Sequence, residues 1–328
     1  MALVGERTLI ETLSERALRL GFQAKILDIA APLSIQLHPS RRDAERLNEE
    51  RPQSYPDPEP KFEGAVALAP TRLLLGWREE AAIKKDIRAI AKVFSSEDWG
   101  SLFFLSSSDL TGKEFYQNLL EACFEIHPDS IKELARVIPD LDTQRKGLIM
   151  ELMTSYPEGD KGIVFACFLN QVNLGEGEGI FIPVGVPHSY VSGCVAEIML
   201  ESDNVIRLGL TPKPVDFSEA ARCLDYRYHF VSEFMRAGQA VSELSTKHYH
   251  LGEGLEIFVM RSGLKEFSLE TGVTNCEIIV VLDGGATLVH KNSGASLALP
   301  QYGAALLLPK STYRLSWSSG QILRFRKV

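Results

Sequence analysis

Gln36, His38, Glu63 and His188 are the side chains of this sequence best suited to share a metal ion. The segment PLSIQLH, residues 32–38, alternates strictly between apolar and polar residues. Ser34, Gln36 and His38 therefore share one face of a half-buried strand, opposite Leu33, Ile35 and Leu37. Side chains two apart on a strand root roughly 7 Å from each other, close enough to converge on one ion. Imidazole is the commonest nitrogen ligand for zinc, and carboxylate and amide oxygens complete mixed sites. Glu63 opens the next strand-like run. His188 follows a turn holding Pro183, Gly185 and Pro187, a rigid place from which to aim a ring. Each residue also has an ordinary reading: a hydrogen-bonded histidine, a surface amide, a solvated carboxylate. Pattern alone supports a metal site in a β-roll without naming the ion.

The elements that must position these residues fall in a β, helical, β order. AVALAP, residues 65–70, reads as a second strand after a polar loop. From 78 to 155 the period becomes helical, with Ile83, Ile87, Ile90 and Phe94, then Phe115, Leu119 and Cys123, then Ile131, Leu134 and Ile138. A serine of SSSD and the Asp of HPDS are candidate caps. The apolar run IVFACFLNQVNL, 163–174, reads as a strand buried on both faces, and LGEGEG as a turn. IFIPVGVPHSYV is strand, turn, strand. From about 245 onward short strands alternate with Gly, Asn and Ser. The expected fold class is mainly β: a jelly-roll core from 1–77 and 156–240, an α-helical insertion from 78–155, and a second, C-terminal β-roll from 241–328. GIFIPVGVPHSY around His188 is echoed by GAALLLPKSTYR around Tyr313, as if two rolls were related and only the first kept that ligand.

The chain has 328 residues and a formal net charge of −8, with both signs interspersed. That balance argues against nucleic acid as a partner, which calls for clustered Lys and Arg. Five widely spaced cysteines do not make a disulfide framework. The N-terminal 21 residues look helical and charged, unlike a signal peptide. No run reaches the roughly 18 apolar residues of a membrane span. The expectation is a cytoplasmic protein without a membrane partner, its oligomeric state open and a monomer preferred.

PLSIQLHPS, YPDPEPKFE, YPEGDKG, LNQVNL and FIPVGVPHSYVSGCVAEIMLESDNVIRLGLTPK together resemble the type I phosphomannose isomerases, clearly over 25–78 and 155–215 and weakly elsewhere. The resemblance implies a cupin-type fold, one Zn2+ per chain held by Gln36, His38, Glu63 and His188, and a sugar phosphate as the small-molecule partner. The implied reaction interconverts mannose 6-phosphate and fructose 6-phosphate through a cis-enediol. It also carries over Ser34, Tyr190, Glu197 and Lys213 as substrate-binding residues, and Lys61, Asp203 and Arg207 as catalytic ones. Lys61 with Asp203 would move the proton; Arg207 would stabilise enediolate charge or hold phosphate. Structural pairing of Lys61 with Glu63, and salt bridging by Arg207 and Lys213, remain open beside these roles.

Two departures count against full activity. Pro60 stands where the family usually has a histidine before the lysine, and proline cannot transfer protons. Further strands and a YAWG-type motif that usually precede this point are not in the sequence. A catalytically weak or inactive sugar-phosphate binder is the alternative function. A cupin oxygenase is a third, but such enzymes favour two histidines and a carboxylate around iron, and the Gln-x-His…Glu…His set of this chain fits zinc better. His248-Tyr249-His250 with Glu253 looks like the HxH…E element of metal-binding cupins. With Tyr313 in place of a downstream histidine, the second roll is expected to be metal-free.

Overall fold

The computed structural model describes residues 3–4, 7–8, 13–14, 18–91, 97–136, 143–241, 245–261 and 266–328. The first roll contains strands β1 (Phe22–Ile29), β2 (Ile35–Leu37), β3 (Glu63–Ala67), β4 (Thr71–Trp77), β5 (Leu169–Leu174), β6 (Gly179–Ile182), β7 (His188–Leu200) and β8 (Ile206–Gly209). With Met235–Arg236 they form one nine-stranded antiparallel sheet. It curls because β7 is long and serves both halves. The start of β7 pairs with β2 and β4, and its end with β1 and β3. The bend falls at Gly193, whose φ is 116°, where an added Cβ would lie 2.6 Å from the Pro70 carbonyl oxygen.

Strand alternation then sorts the side chains into layers. Ile35, Leu37, Val191, Ile206 and Leu208 face outward and pack against Ile83, Ile87, Phe115, Leu119 and Phe165 of the helices. Val66, Ala196 and Ile198 face outward on the other side, against Tyr249, Leu251, Ile257 and Phe325 of the second roll. Ala65, Ala67, Leu73, Leu75, Ile180, Tyr190 and Val195 face inward and fill the barrel. Both outer faces are thus covered, and the polar face of β2 is the one turned to the interior.

The helices are α1 (Arg41–Glu50), α2 (Glu80–Ala91), α3 (Gly100–Ser107), α4 (Gly112–Glu125), α5 (Pro128–Lys132), α6 (Thr143–Ser155), α7 (Gly162–Ala166) and α8 (Phe217–Cys223). The second roll holds β9 (Thr246–Gly252), β10 (Leu255–Arg261), β11 (Phe267–Glu270), β12 (Glu277–Val281), β13 (Ala286–His290), β14 (Ser296–Leu299), β15 (Ala304–Leu307), β16 (Thr312–Trp317) and β17 (Gln321–Lys327). They make a six-stranded sheet, edged by the short strand Gln239–Val241, and a four-stranded one.

Several local expectations change. The run 163–174 is not one strand: residues 162–166 form α7, and β5 begins at Leu169. A fully apolar run carries no period, so a buried helix and a buried strand look alike in it. The polar segment after His38 contains α1, whose apolar content is only Ala44 and Leu47 but whose Ser40 side chain caps the Asp43 N–H. Thr111 precedes α4, and His127, not Asp129, caps α5. In the N-terminal segment, read as helical, Leu3–Val4 pairs antiparallel with Arg7–Thr8. Phe94 and Ile138 lie outside the described residues.

Candidate metal centre

His38, Glu63 and His188 meet inside the first roll, with one candidate ligand atom from each within 4.8 Å of the others. All three are almost fully buried. Register explains the meeting. Gln36 lies opposite both His188 of β7 and Arg207 of β8, and directly opposite residues of an antiparallel sheet point to the same side. Glu63 alternates with the inward Ala65 and Ala67. The turn before His188 is tied to the other histidine, because the Gly185 N–H donates to the His38 carbonyl oxygen at 2.8 Å.

The hydrogen bonds fix the tautomers. Nδ1 of His38 lies 2.9 Å from the Asn204 carbonyl oxygen, and Nδ1 of His188 lies 2.9 Å from the Val186 carbonyl oxygen. A carbonyl can only accept, so both Nδ1 atoms carry the proton and both Nε2 atoms present lone pairs. Those lone pairs face Glu63: His38 Nε2 is 3.1 Å from one carboxylate oxygen and His188 Nε2 is 3.4 Å from the other. Despite these distances, His38 Nε2 and Glu63 Oε2 make no hydrogen bond. Two imidazole lone pairs and a carboxylate aimed at one buried point are a donor set that could hold a divalent cation, and with the Gln36 amide added the set suits zinc.

Electrostatics keep the set in its ligating form. Burial pushes the His38 imidazole down to about 4 against the pull of Glu63, so it is neutral. Burial alone would favour a neutral Glu63, but its surroundings, with the Lys61 ammonium 3.0 Å away, hold the carboxyl well below the usual range.

The remaining sequence candidates divide by distance from this point. Gln36 is half-buried, with its amide nitrogen 3.5 Å from His188 Nε2 and its oxygen 3.5 Å from the Ser34 hydroxyl. Turning the amide over would offer its oxygen as a fourth ligand. Lys61 is buried and its ammonium sits 3.0 Å from Glu63, the pairing that the sequence left open. Tyr190 and Glu197 are buried inside the roll. Burial raises the Glu197 carboxyl to about 8, reinforced by Glu63 and only partly offset by Lys25 at 3.8 Å. Burial, with Glu197 and Glu63 nearby, also raises the Tyr190 phenol well above its ordinary value. Asp203 and Lys213 are exposed. The Asp203 N–H donates to Asp57, and the Lys213 N–H to the Thr211 hydroxyl.

Asn204 escaped the sequence reading. Its carbonyl orients His38, while its side-chain amide donates to the Asp57 and Glu59 carbonyls and anchors the loop. Only its place between the other candidates of SDNVIR marked it.

Comparisons with known proteins point to one enzyme family. Residues 5–80 match the model of the phosphomannose isomerase type I catalytic domain. A probable mannose-6-phosphate isomerase of Caenorhabditis elegans is 32% identical over 216 residues, 63% of this chain and 52% of that protein. One of Dictyostelium discoideum is 35% identical over 210 residues, 63% of this chain and 46% of its own. Over these stretches the chain is similar to the type I phosphomannose isomerases. It spans about half the length of the curated relatives it matches. Among solved structures, the apo form of mannose 6-phosphate isomerase from Salmonella typhimurium superposes with a TM-score of 0.81 at 23% identity, over 97% of this chain and 82% of that one. A mannose 6-phosphate isomerase bound with zinc and yttrium gives 0.84 at 22% identity, over 99% and 87%. At these identities the likeness is one of fold.

Proposed function

We propose that this chain interconverts mannose 6-phosphate and fructose 6-phosphate, with one zinc ion at the centre formed by Gln36, His38, Glu63 and His188. The observation that carries the reading is the convergence of two imidazole lone pairs and a carboxylate on one buried point, within a chain related to enzymes of this name. The catalytic roll is assigned to 1–77 and 156–240, with 78–155 as its helical insertion and 241–328 as a second β domain. A cytoplasmic setting is consistent with the five free cysteines.

Isomerisation moves a proton between C1 and C2 of the open sugar, and negative charge develops on the enediolate oxygens. A bound zinc would supply Lewis-acid polarisation of those oxygens. The chain's own residues do the rest. Arg207 lies opposite Gln36 on the inward face, where its guanidinium can offset developing charge. Lys61 and Asp203 are assigned to proton transfer; Lys61 is the better placed, buried against Glu63, whereas Asp203 is exposed. Glu197 keeps its proton at neutral pH and, with Tyr190, can donate to sugar hydroxyls. Ser34 and the exposed Lys213 complete the substrate set, the lysine as a point charge for phosphate.

A coupled assay on the purified chain with mannose 6-phosphate tests the reading. Turnover should be lost on chelation and restored by zinc, and His188→Ala should lower kcat/KM by about 100-fold or more. Turnover indifferent to chelator would refute the metal role. Tight binding of the sugar phosphate without turnover would favour a non-catalytic binder, the reading that Pro60 supports.

A further inference from the structure

A second cluster with the same design lies in the other roll. His248 and His250 alternate on β9 and share a face. The register sets His250 opposite Glu256 of β10, and Glu256 opposite Arg326 of β17. Tyr249 and Ile257, of opposite parity, turn the other way and build the core shared with the first roll. His248 Nε2 is 3.0 Å from one oxygen of Glu256, and His250 Nδ1 is 2.8 Å from the other. The two imidazole centroids are 3.9 Å apart. The carboxylate of the HxH…E pattern is therefore Glu256. Glu253, the residue chosen from sequence, is exposed in the turn with φ 50°.

We propose that His248, His250 and Glu256 form a second binding site, for a divalent first-row transition ion such as Zn2+. Three features support it. Ligand atoms bound tetrahedrally at zinc distances sit about 3.3 Å apart, close to the spacing found here. Nε2 of His248 is buried and, although 3.0 Å from Glu256, makes no hydrogen bond, the same unsatisfied contact that His38 Nε2 shows in the first centre. Arg326 donates to the Glu256 oxygen that faces His248, so the oxygen 2.8 Å from His250 is the one offered to an ion, while Arg324 is bound to Glu277 and to the Glu270 carbonyl. Phe258, stacked on His248 with centroids 3.9 Å apart, fixes that ring from one side. The His250 side chain is 53% exposed, so the remaining coordination positions open to solvent. Three ligands suffice for such a site, and no downstream histidine is required. The sequence expectation of a metal-free second roll is replaced by a proposal of two ions per chain.

The test is metal stoichiometry, read without reference to catalysis. The full-length chain, stripped with chelator, is titrated with Co2+ and followed by calorimetry and visible absorption. Two equivalents should bind. A His38→Ala/His188→Ala chain should retain one equivalent, and a His250→Ala chain should show one of its two binding events weakened about 10-fold or more. His250 is half-exposed, so this variant should keep the wild-type circular dichroism. A wild-type chain that binds one equivalent and a His38→Ala/His188→Ala chain that binds none would overturn the proposal. So would two equivalents whose affinities His250→Ala leaves unchanged. Conversely, one equivalent retained by the His38→Ala/His188→Ala chain and lost on His248→Ala/His250→Ala would uphold the second site even if the first centre held no metal.

Discussion

His38 and His188 each spend one ring nitrogen on a backbone carbonyl, and that choice leaves the lone pair of the other nitrogen free to bind an ion. Asn204 acts through His38, since its side chain fixes the loop whose carbonyl takes the Nδ1 proton. Asn204→Ala should weaken zinc binding about 10- to 100-fold while leaving the fold intact, as competition with a chromophoric chelator would show. Glu197 makes a separate prediction for the metal-free chain. Its folded value, about 8, lies above its unfolded value, so the folded state holds a proton that the unfolded chain releases. This contribution to stability is complete below the ordinary carboxyl value and is lost as pH rises through 8. Urea unfolding between pH 5 and pH 9 should show that decline, and Glu197→Gln should flatten it.

At the scale of elements, turns decide where the candidate ligands point. Gly185, at φ 76°, lets the chain fold back so that His188 opens β7 beside β2, and an added Cβ would come within 2.9 Å of the Cys223 carbonyl oxygen. Gly185→Val should cost about 1–3 kcal/mol by chemical denaturation and weaken zinc binding with it; an unchanged affinity would show that the turn does not set the ring. The alternation of PLSIQLH made Gln36 and His38 legible, because period two survives whatever the strand packs against. Glu63 and His188 were offered by pattern as candidate ligands, but it took the family resemblance to join them to Gln36 and His38, since the two lie 125 residues apart. Helices α1 and α7 were not legible, one too polar and the other too uniformly apolar to display a helical period.

For the whole molecule, the two rolls are joined through one core. Phe22, Val66, Ala196 and Ile198 of the first pack with Tyr249, Leu251, Ile257 and Phe325 of the second. Gly64 marks the contact, since a Cβ there would lie 2.5 Å from Leu251 Cβ. The rolls should therefore unfold together, and Leu251→Ala should destabilise both by about 2–5 kcal/mol in a single transition. Two separated transitions would show the rolls to be independent. The order of β and helical regions was readable from changes of period along the chain. The shared core was not, because it is built from residues that each look like ordinary strand interior.

The most direct test of the account is zinc-edge X-ray absorption on the chain loaded with one equivalent of zinc, compared with His38→Ala and His188→Ala. The account predicts a nitrogen and oxygen shell at about 2.0–2.2 Å that includes imidazole scattering, and loss of part of that scattering in each variant. An identical spectrum in all three proteins would mean that the ion sits elsewhere, and would contradict the centre built from His38, Glu63 and His188.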